Sequence, residues 1–344
     1  MRLSALGDVC HVLAVVRSLQ RAWPGTRFTW ITGTLEHRLL SLAPGIEFIT
    51  VDKRGGPRAL AAFAAQLKGR RFELCLHMQI ALRASLLTLW VRSPVKIGFD
   101  RARAREGQWL FTNERIAPAP RVHVLDGLYG FASAVGVERG ALSWNIPLPA
   151  PARDYALRLI PDERPTLTIS ACSSHTARNW RPERYAALAD HAALRHGYRV
   201  LLVGGPGDAE RRMADAILAA ARTSPVDQVG KDTLPELLAL LARSTVLLTP
   251  DSGPAHMATM VGTPVIGLYA ATNPARSGPY LSRKWCVDRY AEAARRFLGR
   301  APDELPWTTK IERPGVMDLI EVDAVCEQFD RLAGAAARAP AGAC

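Results

Sequence analysis

Hydrophobic and polar positions follow two alternating periods along almost the entire chain. Short, mainly apolar runs are typical of buried strands, and longer stretches with apolar residues three and four positions apart are typical of amphipathic helices. In the first half this pattern predicts strands at residues 1–4, 27–31, 47–51, 72–78 and 95–98, and helices at 9–23, 35–42, 59–67 and 82–91. Strands that alternate with helices are typical of α/β domains with largely parallel sheets.

A proline-rich stretch interrupts the pattern near the middle of the chain. Pro147, Pro149 and Pro151 lie close together, and residues 147–164 therefore indicate a linker between two domains. The pattern then predicts strands at 166–170, 198–203, 245–248 and 265–269, and helices at 182–193, 209–221, 234–242 and 319–332. We expect a first domain at residues 1–150, a second at 151–318, a C-terminal helix at 319–334 and a flexible tail at 335–344.

The opening strand is short for its place in the pattern. It has four residues before the first helix signal, whereas strands in globular proteins usually have about five or six. Two explanations stay open: the natural chain begins a few residues upstream, or the strand is truncated.

Composition and charge narrow the class of protein. Of 344 residues, 48% are hydrophobic and 22% are charged, which is normal for a soluble globular protein. No apolar run reaches the ~20 residues needed to span a bilayer, and no signal peptide is evident. The six cysteines are scattered without a C-x-x-C pair, so we expect free thiols in a cytoplasmic protein.

The net charge of +12, with arginine clusters in the first half, favours an anionic partner. A generally basic proteome is the alternative explanation of this charge.

The junction between the strand at 245–248 and the next helix is the most informative motif. Asp251-Ser-Gly-Pro-Ala-His256 follows an apolar run, where Ser252 can cap a helix, Gly253 permits a tight turn and Pro254 suits the first helical position. Free N–H groups at such a helix end bind phosphate. A well-capped crossover helix with no ligand is the alternative interpretation.

Two further junctions in the second half carry groups that suit an anionic ligand. Ser173, Ser174 and Arg178 follow one strand, and hydroxyls with a guanidinium suit a phosphate. Asp208 and Glu210 follow another strand after Gly204-Gly-Pro-Gly207, where they can bond ribose hydroxyls or begin a helix. The glycines do not form G-x-G-x-x-G. Together the three junctions predict a pocket for a nucleoside diphosphate.

The first half offers one candidate catalytic carboxylate. Asp8 closes Ser4-Ala-Leu-Gly-Asp8 at the start of the first predicted helix, above the strand ends where ligands bind in open α/β sheets. It can act as a general base toward a hydroxyl, or it can simply complement the helix dipole.

Several segments resemble the ADP-heptose:lipopolysaccharide heptosyltransferases, in order over nearly the whole chain. Gly98–Arg105 and Trp109–Asn113 resemble the branch that adds the first heptose. The segments shared with the family are Arg2–Asp8, Ser173–Trp180, Gly204–Asp208, Asp251–His256 and Tyr269–Pro274.

The resemblance implies a GT-B fold, with two Rossmann-like domains facing each other across a cleft and a C-terminal helix that crosses back to the first domain. It implies an inverting transfer of heptose from ADP-heptose to a Kdo hydroxyl of the lipopolysaccharide inner core. No metal or other cofactor is expected, and the sequence contains no D-x-D motif.

Matched position by position, the resemblance implies that Asp8 is the general base. Arg178 stands where the family often has lysine, which keeps the charge but changes the phosphate geometry. The implied donor-binding residues are Ser173, Ser174, Arg178, Asp208, Glu210, Asp251, Ser252, Gly253, His256 and Thr272. The candidates for acceptor binding are Ser4, Gly7, Arg54, Arg58, Arg101, Arg103 and Arg105.

The expected partners are ADP-heptose, Kdo-lipid A and the anionic inner face of the cytoplasmic membrane, which the enzyme would bind peripherally as a monomer. A GT-B enzyme that acts on another nucleotide sugar, for example an epimerase, is one alternative. A non-catalytic basic protein that binds nucleic acid is another. The arginines are spread over separate loops without interleaved aromatic residues, which argues against nucleic acid.

Overall fold

The computed structural model describes residues 1–338 and divides into two α/β units. The first unit spans Met1–Pro147 and the second begins at Leu148, close to the predicted boundary. The last six residues of the predicted tail, with Cys344, lie outside the described residues. The last helix continues to Arg338, so residues 335–338 of the predicted tail are helical, and the flexibility of the tail stays a prediction.

The first unit alternates strands and helices as predicted, with one further helix and one further strand after residue 98. Its helices are α1 (Leu6–Ala22), α2 (Thr34–Leu40), α3 (Gly56–Leu67), α4 (Leu82–Leu87) and α5 (Val124–Ser133). Its strands are β1 (Phe28–Gly33), β2 (Ile46–Val51), β3 (Leu74–Leu76), β4 (Val95–Gly98) and β5 (Glu114–Arg115). Two 3₁₀ helices, Thr88–Trp90 and Gln108–Leu110, follow α4 and β4.

Residues 1–3 join the two parallel ladders of this unit, β1–β2 and β3–β4–β5. The N–H of Arg2 donates to the carbonyl of Ile31 at 3.1 Å, and the N–H of Met78 donates to the carbonyl of Met1 at 3.1 Å. The predicted opening strand therefore lies between β1 and β3 as an extended segment of three residues, although it is too short to count as a regular strand. A cavity of about 420 Å³ lies at the beginning of this segment, and Met1, Trp30 and Leu74 line it.

The strand order places the connections of the first unit on two faces of the sheet. The chain moves one way from residues 1–3 to β1 and β2, and the opposite way from β2 through β3 and β4 to β5. Parallel crossovers are almost always right-handed, so α1 and α2 cover one face, and α3, α4 and both 3₁₀ helices cover the other. The ring contact between Phe63 of α3 and Trp90, with centroids 6.4 Å apart, agrees with this assignment.

The second unit is built on a parallel sheet with the order β11-β10-β9-β6-β7-β8. The strand order reverses between β6 and β9, which is the point where open α/β sheets bind ligands. The strands are β6 (Thr166–Ser170), β7 (Arg199–Val203), β8 (Val226–Asp227), β9 (Val246–Pro250), β10 (Val265–Tyr269) and β11 (Val287–Asp288). The helices are α6 (Ala150–Leu159), α7 (Pro182–His196), α8 (Asp208–Ala220), α9 (Leu234–Arg243), α10 (Gly253–Met260), α11 (Pro274–Ser277), α12 (Tyr290–Leu298) and α13 (Val322–Arg338).

The prediction of a loop-like linker at 147–164 is wrong, because α6 occupies most of it and packs against α9. Pro149 lies at the N-cap of α6 and Pro151 lies in its first turn. Proline is tolerated there because the first helical N–H groups have no intrahelical acceptor. These prolines begin a helix instead of interrupting one.

Helix α13 packs within the second unit, against α7, β10 and β11. Phe329 is fully buried, and its ring lies 5.5 Å from His196 and 5.0 Å from Tyr198, centroid to centroid. The indole N–H of Trp180 donates to the carbonyl of Ile320 at 2.8 Å just before the helix. The predicted contact of this helix with the first domain stays a prediction.

Replacing Phe329 by alanine should lower the free energy of unfolding by about 3–5 kcal/mol, because it leaves a cavity in a fully packed region. Urea denaturation measures this loss. The control Leu194→Ala lies on α7 with 66% of the residue exposed and should change stability by less than about 0.5 kcal/mol. Equal losses in the two variants would contradict the described packing.

Candidate functional site

The loops after β6 and β9 meet where the strand order reverses. The hydroxyl of Ser173 donates to the carbonyl of Asp251 at 2.7 Å, and the N–H of Ser173 donates to Asn179 Oδ1 at 2.7 Å. Ser174 is the next residue of the same loop, and its side chain is exposed. The structure thus brings together two of the three junctions that the sequence singled out.

The N-terminus of α10 lies at the end of β9. Gly253 is the first helical residue, so Pro254 is the second and not the first. Ser252 has the extended backbone of an N-cap, but its hydroxyl pairs with Thr249 Oγ1 at 2.7 Å and makes no cap bond. Ser252 is therefore the N-cap residue as predicted, but its side chain does not satisfy a helical N–H. The N–H groups of Gly253 and Ala255 have no intrahelical acceptor and can bind an anion.

Arg178 is held between two carboxylates. Its Nη2 lies 2.5 Å from Glu312 Oε1, and its Nη1 lies 3.4 Å from Asp251 Oδ2. Only 11% of its side chain is exposed. Both bonds fix the guanidinium beside the α10 N-terminus. Arg178 therefore loses little side-chain conformational entropy when it binds an anion.

Glu312 is a residue of this site that sequence reasoning missed. It lies in an irregular segment after α12, and the N–H of Ile311 donates to the carbonyl of Ala271 at 2.7 Å, which fixes this segment beside the loop after β10. Burial acts to raise the pKa of Glu312, but hydrogen bonding to Arg178 and the nearby charges of Arg178, Lys310 and His175 lower it below its ordinary value. Glu312 is therefore ionised when it pairs with Arg178.

The loop after β7 brings carboxyl groups to the same edge of the sheet. Asp208 is exposed as the first residue of α8, whereas Glu210 turns its carboxyl toward Gly205 and is partly buried. Burial raises the pKa of Glu210, and a hydrogen bond from the Gly205 backbone opposes the shift. Burial likewise raises the pKa of Asp232 to about 7, a backbone hydrogen bond opposes it, and the charges of Glu236 and Glu210 add to it. Asp232 was not predicted.

His256 and Thr272 are buried near the ends of β9 and β10. His256 lies one turn into α10, with 7% of the residue exposed, and Thr272 lies in the loop after β10, with 4% exposed. Both residues can contact a ligand at this edge only through the few atoms that they expose, or after a small movement of their side chains. Their predicted role in donor binding stays a prediction.

In the first unit, Asp8 lies in the first turn of α1. Its Oδ2 is 2.5 Å from Arg2 Nη2 and accepts the N–H of Ala5 at 3.1 Å. Gln79 accepts the N–H of Leu3 at 2.6 Å and donates to Ser4 Oγ at 3.3 Å. These bonds hold the Ser4–Asp8 turn at the carboxyl edge of the sheet. With 31% of its side chain exposed, Asp8 can reach a ligand.

The predicted acceptor-binding residues lie in several elements of the first unit. Arg54, Arg101 and Arg105 follow β2 and β4, and parallel strands end at one edge, so these loops share the edge of Asp8. Arg58 is exposed on α3. Arg103 pairs with Asp100 and donates to the carbonyl of Ala117 at 2.8 Å, which holds the loop in place. Gly7 is buried in α1, and ligand contacts by all of these residues stay predictions.

Comparison with known proteins identifies the family. Residues 60–301 match glycosyltransferase family 9 (heptosyltransferase). The lipopolysaccharide core heptosyltransferase OpsX of Haemophilus influenzae is 41% identical over 96% of this chain and 95% of its own. The chain belongs to glycosyltransferase family 9. It is therefore an enzyme that transfers a sugar, and its relatives support a role in lipopolysaccharide core synthesis.

Solved structures show the fold of this heptosyltransferase. A family 9 glycosyltransferase from Veillonella parvula has a TM-score of 0.80, with 22% identity, over 97% of this chain and 96% of its own. The Escherichia coli heptosyltransferase WaaC with ADP has a TM-score of 0.74, with 21% identity, over 96% of this chain and 100% of its own. The predicted GT-B fold is confirmed. The two alternatives, an epimerase and a nucleic-acid-binding protein, do not agree with membership of a glycosyltransferase family.

One group in the described part of this heptosyltransferase could hold a metal ion. His191, His196 and Asp330 bring one ligand atom each to within 4.8 Å of one another. They lie where α7 meets α13, and both imidazole Nε2 atoms already bond Asp330 Oδ1, at 2.6 and 2.7 Å. The group fastens α13 to α7 and does not belong to the carboxyl edge. None of the helices within residues 1–338 is long and apolar enough to cross a bilayer.

Replacing Asp232 by asparagine should raise the Tm of the heptosyltransferase much more at pH 8 than at about pH 4. An unfolded aspartate loses its proton near pH 4, whereas folded Asp232 keeps it to about 7. The folded state therefore binds the extra proton in this window, and the stability from Asp232 falls as the pH rises through it. We expect a Tm gain of about 4 °C or more at the higher pH.

Thermal unfolding at the two pH values checks this. Asp154→Asn, at an exposed position of α6, is the control and should give the same small difference at both. A gain for Asp232→Asn that does not depend on pH would show that Asp232 is already ionised in the folded protein.

Proposed function

We propose that this enzyme transfers heptose from ADP-heptose to a Kdo hydroxyl of the lipopolysaccharide inner core, with inversion at the anomeric carbon. The observation that carries the proposal is Arg178, fixed by Asp251 and Glu312 beside the free N–H groups of α10. A partly buried guanidinium and amide donors at a helix N-terminus suit a diphosphate. The names of the relatives support the sugar and the lipopolysaccharide core.

On the donor side, the diphosphate binds between the guanidinium of Arg178 and the N–H groups of Gly253 and Ala255. Asp208 and Glu210 lie where they can accept hydrogen bonds from ribose hydroxyls. As the bond between the anomeric carbon and the phosphate oxygen breaks, negative charge grows on the departing ADP. Donors that are already in place stabilise this charge without reorganising, and each contributes about 3–4 kcal/mol.

On the acceptor side, Asp8 takes the proton of the attacking Kdo hydroxyl. The oxygen attacks the anomeric carbon from the face opposite the leaving ADP, so the new bond has the inverted configuration. Arg2 keeps the Asp8 carboxylate oriented through its 2.5 Å ion pair. Arg54, Arg101 and Arg105 follow strands that end at the same edge and can bind acceptor carboxylates and phosphates.

We expect the enzyme to act as a monomer at the inner face of the cytoplasmic membrane, because the acceptor is a lipid made there. We expect it to need no metal or other cofactor and to bind no nucleic acid. Dialysis against a chelator should leave the rate of transfer unchanged if the amide donors and Arg178 are sufficient for the leaving group.

Replacing Asp8 by asparagine should lower kcat about a hundredfold or more, because a positioned general base contributes about 10²–10⁴ in rate. Mass measurement of Kdo-lipid A after incubation with ADP-heptose follows the product. ADP affinity should not change, and Asp154→Asn should retain full turnover. Near-normal turnover by Asp8→Asn would remove Asp8 as the base.

Replacing Arg178 by alanine should weaken ADP binding about tenfold or more, since a charged hydrogen bond contributes about 1.5–3 kcal/mol. Isothermal titration with ADP and with adenosine separates the phosphate contribution from that of the nucleoside. The loss should appear with ADP alone, and Arg153→Ala, at an exposed position of α6, should bind like the parent. Unchanged ADP affinity in Arg178→Ala would place the diphosphate elsewhere.

A further inference from the structure

The outer surface of α3, α4 and the two 3₁₀ helices of the first unit is both apolar and basic. We call it the basic apolar face. It carries seven of the twelve exposed large hydrophobic side chains found among the described residues. The seven are Leu60, Leu82, Leu86, Leu89, Trp90, Trp109 and Leu110. Right-handed crossovers place these elements on one side of the sheet, so the seven side chains share one face.

Helix α4 and the 3₁₀ helix after it carry a leucine stripe on their outward side, although buried Ala84 and Leu87 already supply apolar side chains on the inward side. Leu82, Leu86 and Leu89 recur at spacings of four and three and are 44%, 44% and 64% exposed, whereas Ser85 and Thr88 are fully buried. A helix that covers a sheet normally turns its apolar stripe inward and its polar residues outward. Here the outward stripe is leucine, which indicates a surface that something apolar covers.

Arginines surround this apolar surface. Residues 52–115 hold thirteen Lys and Arg against five Asp and Glu, so they contribute +8 of the chain's net +12. Arg58, Arg92 and Arg101 are exposed, and within residues 1–338 no ion pair is found for any of them. A partner for this face must therefore combine an apolar interior with an anionic surface.

We propose that the basic apolar face docks on an anionic phospholipid membrane, with leucines and tryptophans entering the region below the headgroups and arginines pairing with lipid phosphates. Tryptophan prefers this depth, and each basic residue near an anionic surface adds to binding. This inference rests on the proposed function, because a lipid acceptor keeps the enzyme at a membrane. The face continues to the loop of Arg101 and Arg105, which shares the carboxyl edge with Asp8.

Co-sedimentation with vesicles tests the proposal on the full chain. The parent should sediment with vesicles of phosphatidylethanolamine and phosphatidylglycerol, and less at high salt, but not with phosphatidylcholine alone. The double variant Leu89→Asp/Leu110→Asp should bind the anionic vesicles at least tenfold more weakly. Its matched control, Leu194→Asp/Leu281→Asp, changes side chains that are 66% and 54% exposed in the second unit and should bind like the parent.

Tryptophan fluorescence gives a second readout. Trp109 is 42% exposed, so its emission should shift to the blue when anionic vesicles are added and the ring leaves water. The shift should be smaller in Trp109→Phe, which removes one of the eight tryptophans. A full shift in Trp109→Phe together with full binding by the double variant would overturn the proposal.

Transfer to a soluble Kdo oligosaccharide without acyl chains separates this inference from the proposed function. The double variant should keep the parent's rate on the soluble acceptor and lose rate on Kdo-lipid A in vesicles. Absence of transfer by the parent on both acceptors would contradict the proposed function alone. Membrane docking would be overturned if the parent did not bind vesicles. It would also be overturned if the parent were a dimer and the double variant a monomer, because the face would then bind a second copy of the chain.

Discussion

Parallel pairing sends the carboxyl end of every strand to one edge of a sheet, and both units depend on this constraint. In the second unit it brings Ser173, at the end of β6, within 2.7 Å of the Asp251 carbonyl at the end of β9. In the first unit it brings the Ser4–Asp8 turn to the edge where β2 and β4 end. Loops that lie far apart in the sequence can therefore contact the same ligand, because the sheet itself positions them.

The charge balance around Arg178 determines how the carboxyl edge of the second unit interacts with an anion. One guanidinium lies against the carboxylates of Asp251 and Glu312, so these three groups carry a net charge of −1. A partly buried guanidinium without a partner would be unfavourable, and these two carboxylates pair with Arg178 and keep it oriented. Arg178 alone would not attract anions strongly, and the amides of α10 therefore supply an essential part of the attraction.

The regular parts of the fold and the main site motifs could be predicted from the sequence. β6, β7, β9 and β10 are almost entirely buried strands of five residues rich in Leu, Ile, Val and Thr, and the motif ending in His256 lies at a strand-to-helix junction as expected. Strands β8 and β11 have two residues each, too few to show a period. Helix α6 was missed because its prolines resemble a linker. Glu312 was missed because it pairs with a residue 134 positions away, and no local pattern records such a pair.

The segment before α13 fastens the loop of Arg178 from the far end of the chain. Glu312 pairs with Arg178, Asp318 pairs with Arg181, and the carbonyl of Ile320 accepts the indole N–H of Trp180. During synthesis this segment leaves the ribosome after every strand of the six-stranded sheet. A nascent chain that has already paired β6 to β10 would still lack these three contacts with the loop of Arg178. If this loop binds the diphosphate as proposed, nucleotide binding has to wait until residues 312–320 have been translated.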